Sequence, residues 1–106
     1  YIEVARRAQT DWNANGNAGL VVGATYPDQL RMVRELCPEL PILVPGVGAQ
    51  GGDPMLAVRA AVDRQGERAI VSASRSILFA ADGDDFAEAA RRETLRLREE
   101  LNAALT

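Results

Sequence analysis

The densest group of residues able to do chemistry is the string Pro45-Gly46-Val47-Gly48-Ala49-Gln50-Gly51-Gly52-Asp53. Gly46, Gly48, Gly51 and Gly52 lack Cβ atoms, so the backbone can take positive φ and approach a ligand closely. Turned backbone N–H groups form a nest for anions, and a helix start just after the loop adds partial positive charge. Asp53-Pro54 has the form of such a start, with an aspartate cap and proline at the first helical position. The chemistry this predicts is phosphate binding. Gly46, Gly48 and Gly51 also satisfy G-x-G-x-x-G, the dinucleotide fingerprint. That fingerprint expects the helix to open inside the motif and an acidic residue about 20 positions on. Here the helix starts after it, and the corresponding stretch, Ile70 to Arg75, has no acid. Arg75 could serve a 2′-phosphate in that reading. A glycine turn with no ligand is the structural alternative.

The second group is Ser72-Ala73-Ser74-Arg75-Ser76, at the end of an apolar run. An arginine there projects from the C-terminal rim of a parallel sheet, where ligands bind. Its planar fork grips phosphate oxygens in pairs. In eight-fold barrels the loops after the last two strands often build a phosphate site. The spacing of the glycine loop and Arg75, one strand–helix unit apart, fits that placement. A third rim, Thr25-Tyr26, is weaker: Thr25 is expected to cap a helix and Trp12 to pack.

What the chain lacks narrows the chemistry further. All twelve basic residues are arginines; there is no lysine and no histidine. A histidine base, a Schiff-base lysine and a lysine general acid are closed to this segment. The net charge of −3 argues against a broad nucleic-acid or membrane surface, and 5% aromatics against base-stacking platforms. Cys37, the only cysteine, can form no internal disulfide and is expected to be a half-buried helix residue. No apolar run nears the roughly 20 residues that span a bilayer, and no signal-peptide pattern is present. The expected compartment is the cytoplasm.

These groups need elements to position them. Tyr1 to Thr10 already has a helical pattern, as expected for a piece of something longer. Gly19–Ala24, Ile42–Val44 and Ala69–Ser72 are apolar runs expected as buried strands. A helix from Pro27 should bury Leu30, Val33 and Leu36 and stop at Pro38 and Pro41. A second, from Pro54, should bury Leu56, Val58 and Ala61, with Val62 alongside, and end at Gly66. Ser76–Ala80 suits a short helical turn, and Asp82 to Asp85 should cap a last helix to about Leu105. Its charge run from Arg91 to Glu100 suits a solvated face with helix-spaced ion pairs. Apolar strands alternating with amphipathic helices predict parallel α/β architecture. Three units are too few to close a barrel; they suit the last three of an eight-fold one, or one side of an open doubly wound sheet.

The combination of V-V-G-A-T-Y-P at Val21–Pro27, L-V-P-G-V-G-A-Q-G-G-D at Leu43–Asp53 and S-A-S-R-S-I-L at Ser72–Leu78 resembles orotidine 5′-monophosphate decarboxylase. The spelling is most similar to the bacterial branch that includes mycobacterial enzymes. The resemblance runs from about Gly19 to the last helix. It implies a fold: residues 1–106 as the C-terminal portion, about three βα units, of a (β/α)8 TIM barrel. It implies that Gln50 reaches over the nucleotide, that Pro45 and Val47 line the pocket beside the pyrimidine, and that Ser74 and Arg75 hold the 5′-phosphate. Ser74 stands where the family has glycine. Gly46, Gly48, Gly51 and Gly52 would shape the phosphate loop. The resemblance further implies decarboxylation of orotidine 5′-monophosphate to UMP in pyrimidine biosynthesis, no metal or organic cofactor, and a homodimer. The family's Asp-x-Lys-x-x-Asp array belongs to the first half of the barrel and is absent here, so no catalytic residue is assigned. Two rivals stand beside this reading. One is a sister barrel enzyme acting on a sugar phosphate; the other is a non-catalytic phosphate- or nucleotide-binding module complete at 106 residues.

Overall fold

The computed structural model describes residues 1–48 and 50–106; Ala49, inside the glycine loop, lies outside the described residues. The elements follow in the order α1 (Ile2–Thr10), β1 (Leu20–Val21), α2 (Pro27–Leu36), β2 (Ile42–Val44), α3 (Pro54–Ala61), β3 (Ala69–Val71), α4 (Arg75–Leu78) and α5 (Phe86–Ala103). All three expected strands and every expected helix are present. β1 is shorter than the apolar run Gly19–Ala24, although Val22 and Ala24 still donate to Leu43 O and Pro45 O at 2.9 Å.

The strands lie parallel in the order β1-β2-β3, with Val21 opposite Leu43 and Leu43 opposite Ile70. The longer helices pack in succession, α1 on α2, α2 on α3 and α3 on α5, and the short α4 packs on α5. The helices therefore form one layer on one face of the sheet. A doubly wound sheet reverses its strand order and carries helices on both faces. Three strands that keep their order under a single helical layer suit a barrel wall and equally one half of a doubly wound sheet.

Between sheet and helices lies the core, built on Leu30, Val33, Leu40, Ile42, Val44 and the small face of α3. That face is Ala57, Ala60 and Ala61 with Val58, which lets α3 sit close to the strands. Leu56, expected in the core, is turned away and 50% exposed, and Leu36 is 37% exposed. The opposite sheet face behaves differently. Val21, Leu43 and Ile70, one registered row across all three strands, are 69%, 37% and 62% exposed. The expectation of strands buried on both faces therefore holds on the helix side only. The open row is what the inner face of a barrel wall presents.

At the N-terminal ends of the strands, sequence reading overlooked a buried arginine. Arg34 donates Nε to Ala61 O at 2.6 Å, Nη1 to Cys37 O and Leu40 O at 2.9 and 2.8 Å, and Nη2 to Arg68 O at 3.0 Å. One fork thus joins the ends of α2 and α3 to the chain entering β2 and β3. Burial pulls its pKa below the ordinary arginine value, partly opposed by Asp63. Arg68 sits at φ 63° beside it, held by its ion pair to Asp63 and its bond to Glu39 O. Asp63 organises the turn to Glu67 by accepting from Gln65 N and Glu67 N. α3 accordingly ends at Ala61, and Gly66, at φ 79°, belongs to this turn and does not terminate the helix. Arg34→Lys keeps the charge but loses the fork, so carbonyls must go unpaired. A loss of about 1–3 kcal/mol is expected in urea unfolding of the complete protein; an unchanged midpoint would show that the fork is dispensable.

Four smaller expectations differ from the structure. Cys37 is fully buried just beyond α2, not half-buried within it, and its Sγ donates to Ala5 O at 3.2 Å. Burial raises its thiol pKa, which opposes a reactive thiolate. Trp12 is 56% exposed and does not serve the core. Thr25 does not cap α2, whose N-cap position is Tyr26 with no side-chain bond; Asp85 likewise occupies the N-cap of α5 without bonding its amides. Along α5 the charge run forms exposed pairs such as Arg96 to Glu93 and Glu100, both at 2.8 Å, as a solvated face should.

Candidate functional site

Both signal segments emerge at the C-terminal ends of adjacent strands, the glycine loop from β2 and the Ser72–Arg75 segment from β3. They enclose a cleft of about 100 Å³ lined by Pro45, Gly46, Val47, Gln50, Ser72, Ala73, Ser74 and Arg75. The structure thus brings together Pro45, Val47, Gln50, Ser74 and Arg75, from two separate stretches of sequence.

The loop holds its shape through its own backbone. Gly46, Gly48 and Gly51 have φ of 89°, 73° and 86°, a region that L side chains rarely adopt. Gly48 N donates to Gly52 O, Gly51 N to Gly48 O and Gly52 N to Gly46 O, at 2.9, 2.8 and 3.1 Å. These three amides are engaged inside the loop. The glycines therefore shape the rim, and in this conformation those N–H groups are not offered to an anion. Gly52 is fixed for a second reason: a Cβ there would lie 2.5 Å from Gly46 O and 2.7 Å from the Ala24 Cβ. The loop is thereby pressed onto the rim after β1. Asp53 closes it as expected, its Oδ1 accepting from Met55 N and Leu56 N at 2.8 and 3.0 Å.

The side chains divide by role. Val47 borders the cleft yet is only 4% exposed and belongs to the core, so it anchors the loop from below. Gln50 is exposed, and its Oε1 lies 2.9 Å from where a Cβ on Gly46 would stand. Its carboxamide therefore folds back over the loop at the cleft. Arg75 opens α4, is exposed, and makes no ion pair among the described residues. The first amides of α4 have no intrahelical acceptor, as at any helix start. Ser76 tucks against the glycine loop, its Oγ 3.8 Å from the Cβ position of Gly48. The arrangement offers an exposed cation, a carboxamide and helix-start amides without an intrahelical acceptor around a small cleft.

Sequence reading named Ser72 and Ser76 within the second group but gave neither a role. Ser72 was detectable by strand alternation from Ile70; Ser76 becomes visible only once the two loops are folded together. A larger groove of about 930 Å³ lies at the other end of the strands, around Arg34, Asp63, Arg64, Glu67 and Arg68. Its buried cation is already saturated by carbonyls and its rim mixes both charge signs, so it offers no comparable anion site.

Comparison with known proteins is consistent with this geometry. Residues 1–92 match the family model described as Orotidine 5'-phosphate decarboxylase / HUMPS family. The chain is 58% identical over 104 residues to orotidine 5'-phosphate decarboxylase of Polaromonas naphthalenivorans; the match takes in 98% of this chain and 36% of that protein. Among solved structures, it superposes on Leishmania donovani UMP synthase with a TM-score of 0.79 at 40% identity, over 95% of this chain and 22% of that one. Leishmania donovani OMP decarboxylase gives a TM-score of 0.75 at 36% identity, over 95% of this chain and 37% of that one. The chain thus spans little more than a third of the length of the curated relative.

Proposed function

Since the chain belongs to the orotidine 5'-phosphate decarboxylase / HUMPS family, we propose that it is the C-terminal part of a barrel that decarboxylates orotidine 5′-monophosphate to UMP. In this reading the cleft between the β2 and β3 loops holds the 5′-phosphate. The observation that carries it is the convergence of Gln50 and Arg75, which has no ion pair among the described residues, over one small cleft at the C-terminal strand ends. Eight-fold barrels commonly place a phosphate there, between the last two strand loops and a short extra helix, and α4 is such a helix.

The segment's part in the reaction is to hold and to close. Arg75 and the first amides of α4 neutralise the phosphate, while Gln50 bridges from the loop toward the nucleotide. Pro45 gives a flat apolar wall beside the ring. Contacts to a remote phosphate can stabilise a closed, water-excluding site, so part of their energy is used in the transition state and raises rate as well as affinity. The proton-delivering lysine belongs to the first half of the barrel. The active form in this reading is a cytoplasmic homodimer that needs no metal or organic cofactor.

The test is turnover by the complete reading frame that encodes this chain, purified from a host lacking the activity. Release of labelled CO2 from carboxyl-labelled orotidine 5′-monophosphate, with chelator present, is the expected result. Tight UMP binding with no CO2 release would instead favour a nucleotide-binding module.

A further inference from the structure

Resting on the nucleotide reading above, we propose that Ser72 is an additional specificity-determining residue, its hydroxyl hydrogen-bonding the nucleoside part of the ligand and not its phosphate. Strand alternation sets the direction of Ser72. In β3, Ile70 is 62% exposed on the open sheet face, whereas Val71 packs against the core. Ser72 comes next, and it lines the cleft. Successive side chains alternate across a sheet, so Ser72 shares the open face with Ile70, one layer nearer the C-terminal rim.

Register places its neighbours. Val44 pairs with Val71, and Ser72 N donates to Val44 O at 3.1 Å, which sets Ser72 beside Pro45. Val21 pairs with Leu43, and Ala24 N donates to Pro45 O at 2.9 Å, which sets Gly23 on the other side of Pro45. The rim layer is thus Gly23–Pro45–Ser72, directly above the apolar row Val21–Leu43–Ile70. In it Gly23 has no side chain, and a Cβ there would meet nothing within 4 Å. Pro45 has neither a donor nor a polar side-chain atom. Ser72 is therefore the single polar side chain of the layer, and its hydroxyl makes no hydrogen bond among the described residues.

Position then decides what the hydroxyl meets. Arg75, three residues further along the chain, opens α4 at the outer rim. Ser72 lies below it, at the strand end, where a ligand anchored by its phosphate would bring its sugar and base against Pro45. Such groups carry both hydrogen-bond acceptors and donors, and a hydroxyl can donate to an acceptor while accepting from a donor. An alanine at this position would leave that ligand atom without its partner.

The experiment compares wild type, Ser72→Ala, Ser72→Thr and Arg75→Ala in the complete protein. Two probes are used: UMP, by its dissociation constant, and inorganic phosphate, by its inhibition of turnover. Binding of UMP by wild type tests the underlying reading; its failure would overturn that reading and this inference together. With wild type binding, Ser72→Ala is expected to weaken UMP by about 3- to 10-fold, the range of one neutral hydrogen bond. It should leave inhibition by phosphate and the thermal midpoint unchanged. Ser72→Thr, which keeps the hydroxyl, should recover most of the UMP affinity. Arg75→Ala should weaken both probes. The inference is overturned if Ser72→Ala leaves UMP binding intact, if it weakens phosphate equally, or if its loss tracks a lowered midpoint that Ser72→Thr does not restore.

Discussion

Arg75→Ala in the complete protein is expected to lower kcat/KM for orotidine 5′-monophosphate by about 30- to 1000-fold, corresponding to roughly 2–4 kcal/mol of lost transition-state stabilisation. The magnitude follows from charge. A guanidinium facing a phosphate forms charge-assisted bonds, two at once if the fork is engaged, and each is about twice as strong as a neutral one. Among the described residues no carboxylate competes for it, since Arg75 makes no ion pair there. Its guanidinium makes no hydrogen bond among the described residues either; by contrast Arg34 is saturated by backbone carbonyls. Removing Arg75 should therefore change activity and leave the melting temperature nearly unmoved. Gln50→Ala should be milder, since a neutral amide contributes about 0.5–1.5 kcal/mol per bond. Parallel kcat/KM measurements and thermal melts on the two variants check this ordering.

The second large effect is complete loss. The 106-residue chain by itself is expected to show no decarboxylation at any concentration that can be assayed. Stabilising and then protonating a carbanion at neutral pH calls for a positioned acid, and the family resemblance assigns that step to a lysine. The chain has no lysine and no histidine. Its arginines cannot release protons in this range. Cys37 is buried on the helix side, away from the cleft, with its pKa raised. The open row Val21–Leu43–Ile70 adds a second expectation: the isolated chain should self-associate and melt broadly. Turnover by the isolated chain above a host background would show that the chemistry does not require residues outside it.

The fold was legible where local signals and tertiary demands agree. Pro27 and Asp53-Pro54 mark helix starts by chemistry that acts within one turn, and both starts are where expected. The apolar runs gave the strands because parallel strands under helices must be apolar on at least one face. Which side stays open was not legible. Val21 and Val44 have the same residue type, yet one is 69% exposed and the other fully buried. Only the single helical layer distinguishes them. Arg34 was missed for the same reason: its clasp of five carbonyls, Pro38 O at 3.2 Å being the fifth, is assembled from segments up to 34 positions apart, and no local spacing announces it. In the site, Gly48 and Gly51 announced the loop correctly, but the engagement of their amides within it depends on the closed path from Gly46 to Gly52. The glycines indicated a special backbone, and geometry decided that they shape the rim.

In the proposed function this rim grips a phosphate. The most direct measurement is a double cycle on the complete protein: wild type and Arg75→Ala, each assayed with orotidine 5′-monophosphate and with phosphate-free orotidine. The expected result is a 30- to 1000-fold loss for the nucleotide, on the order of a charge-assisted contact, and little or none for the nucleoside, which leaves the arginine nothing to hold. Equal slowing of both substrates would mean that Arg75 acts on the base or on the fold, and would contradict a phosphate clamp at this rim.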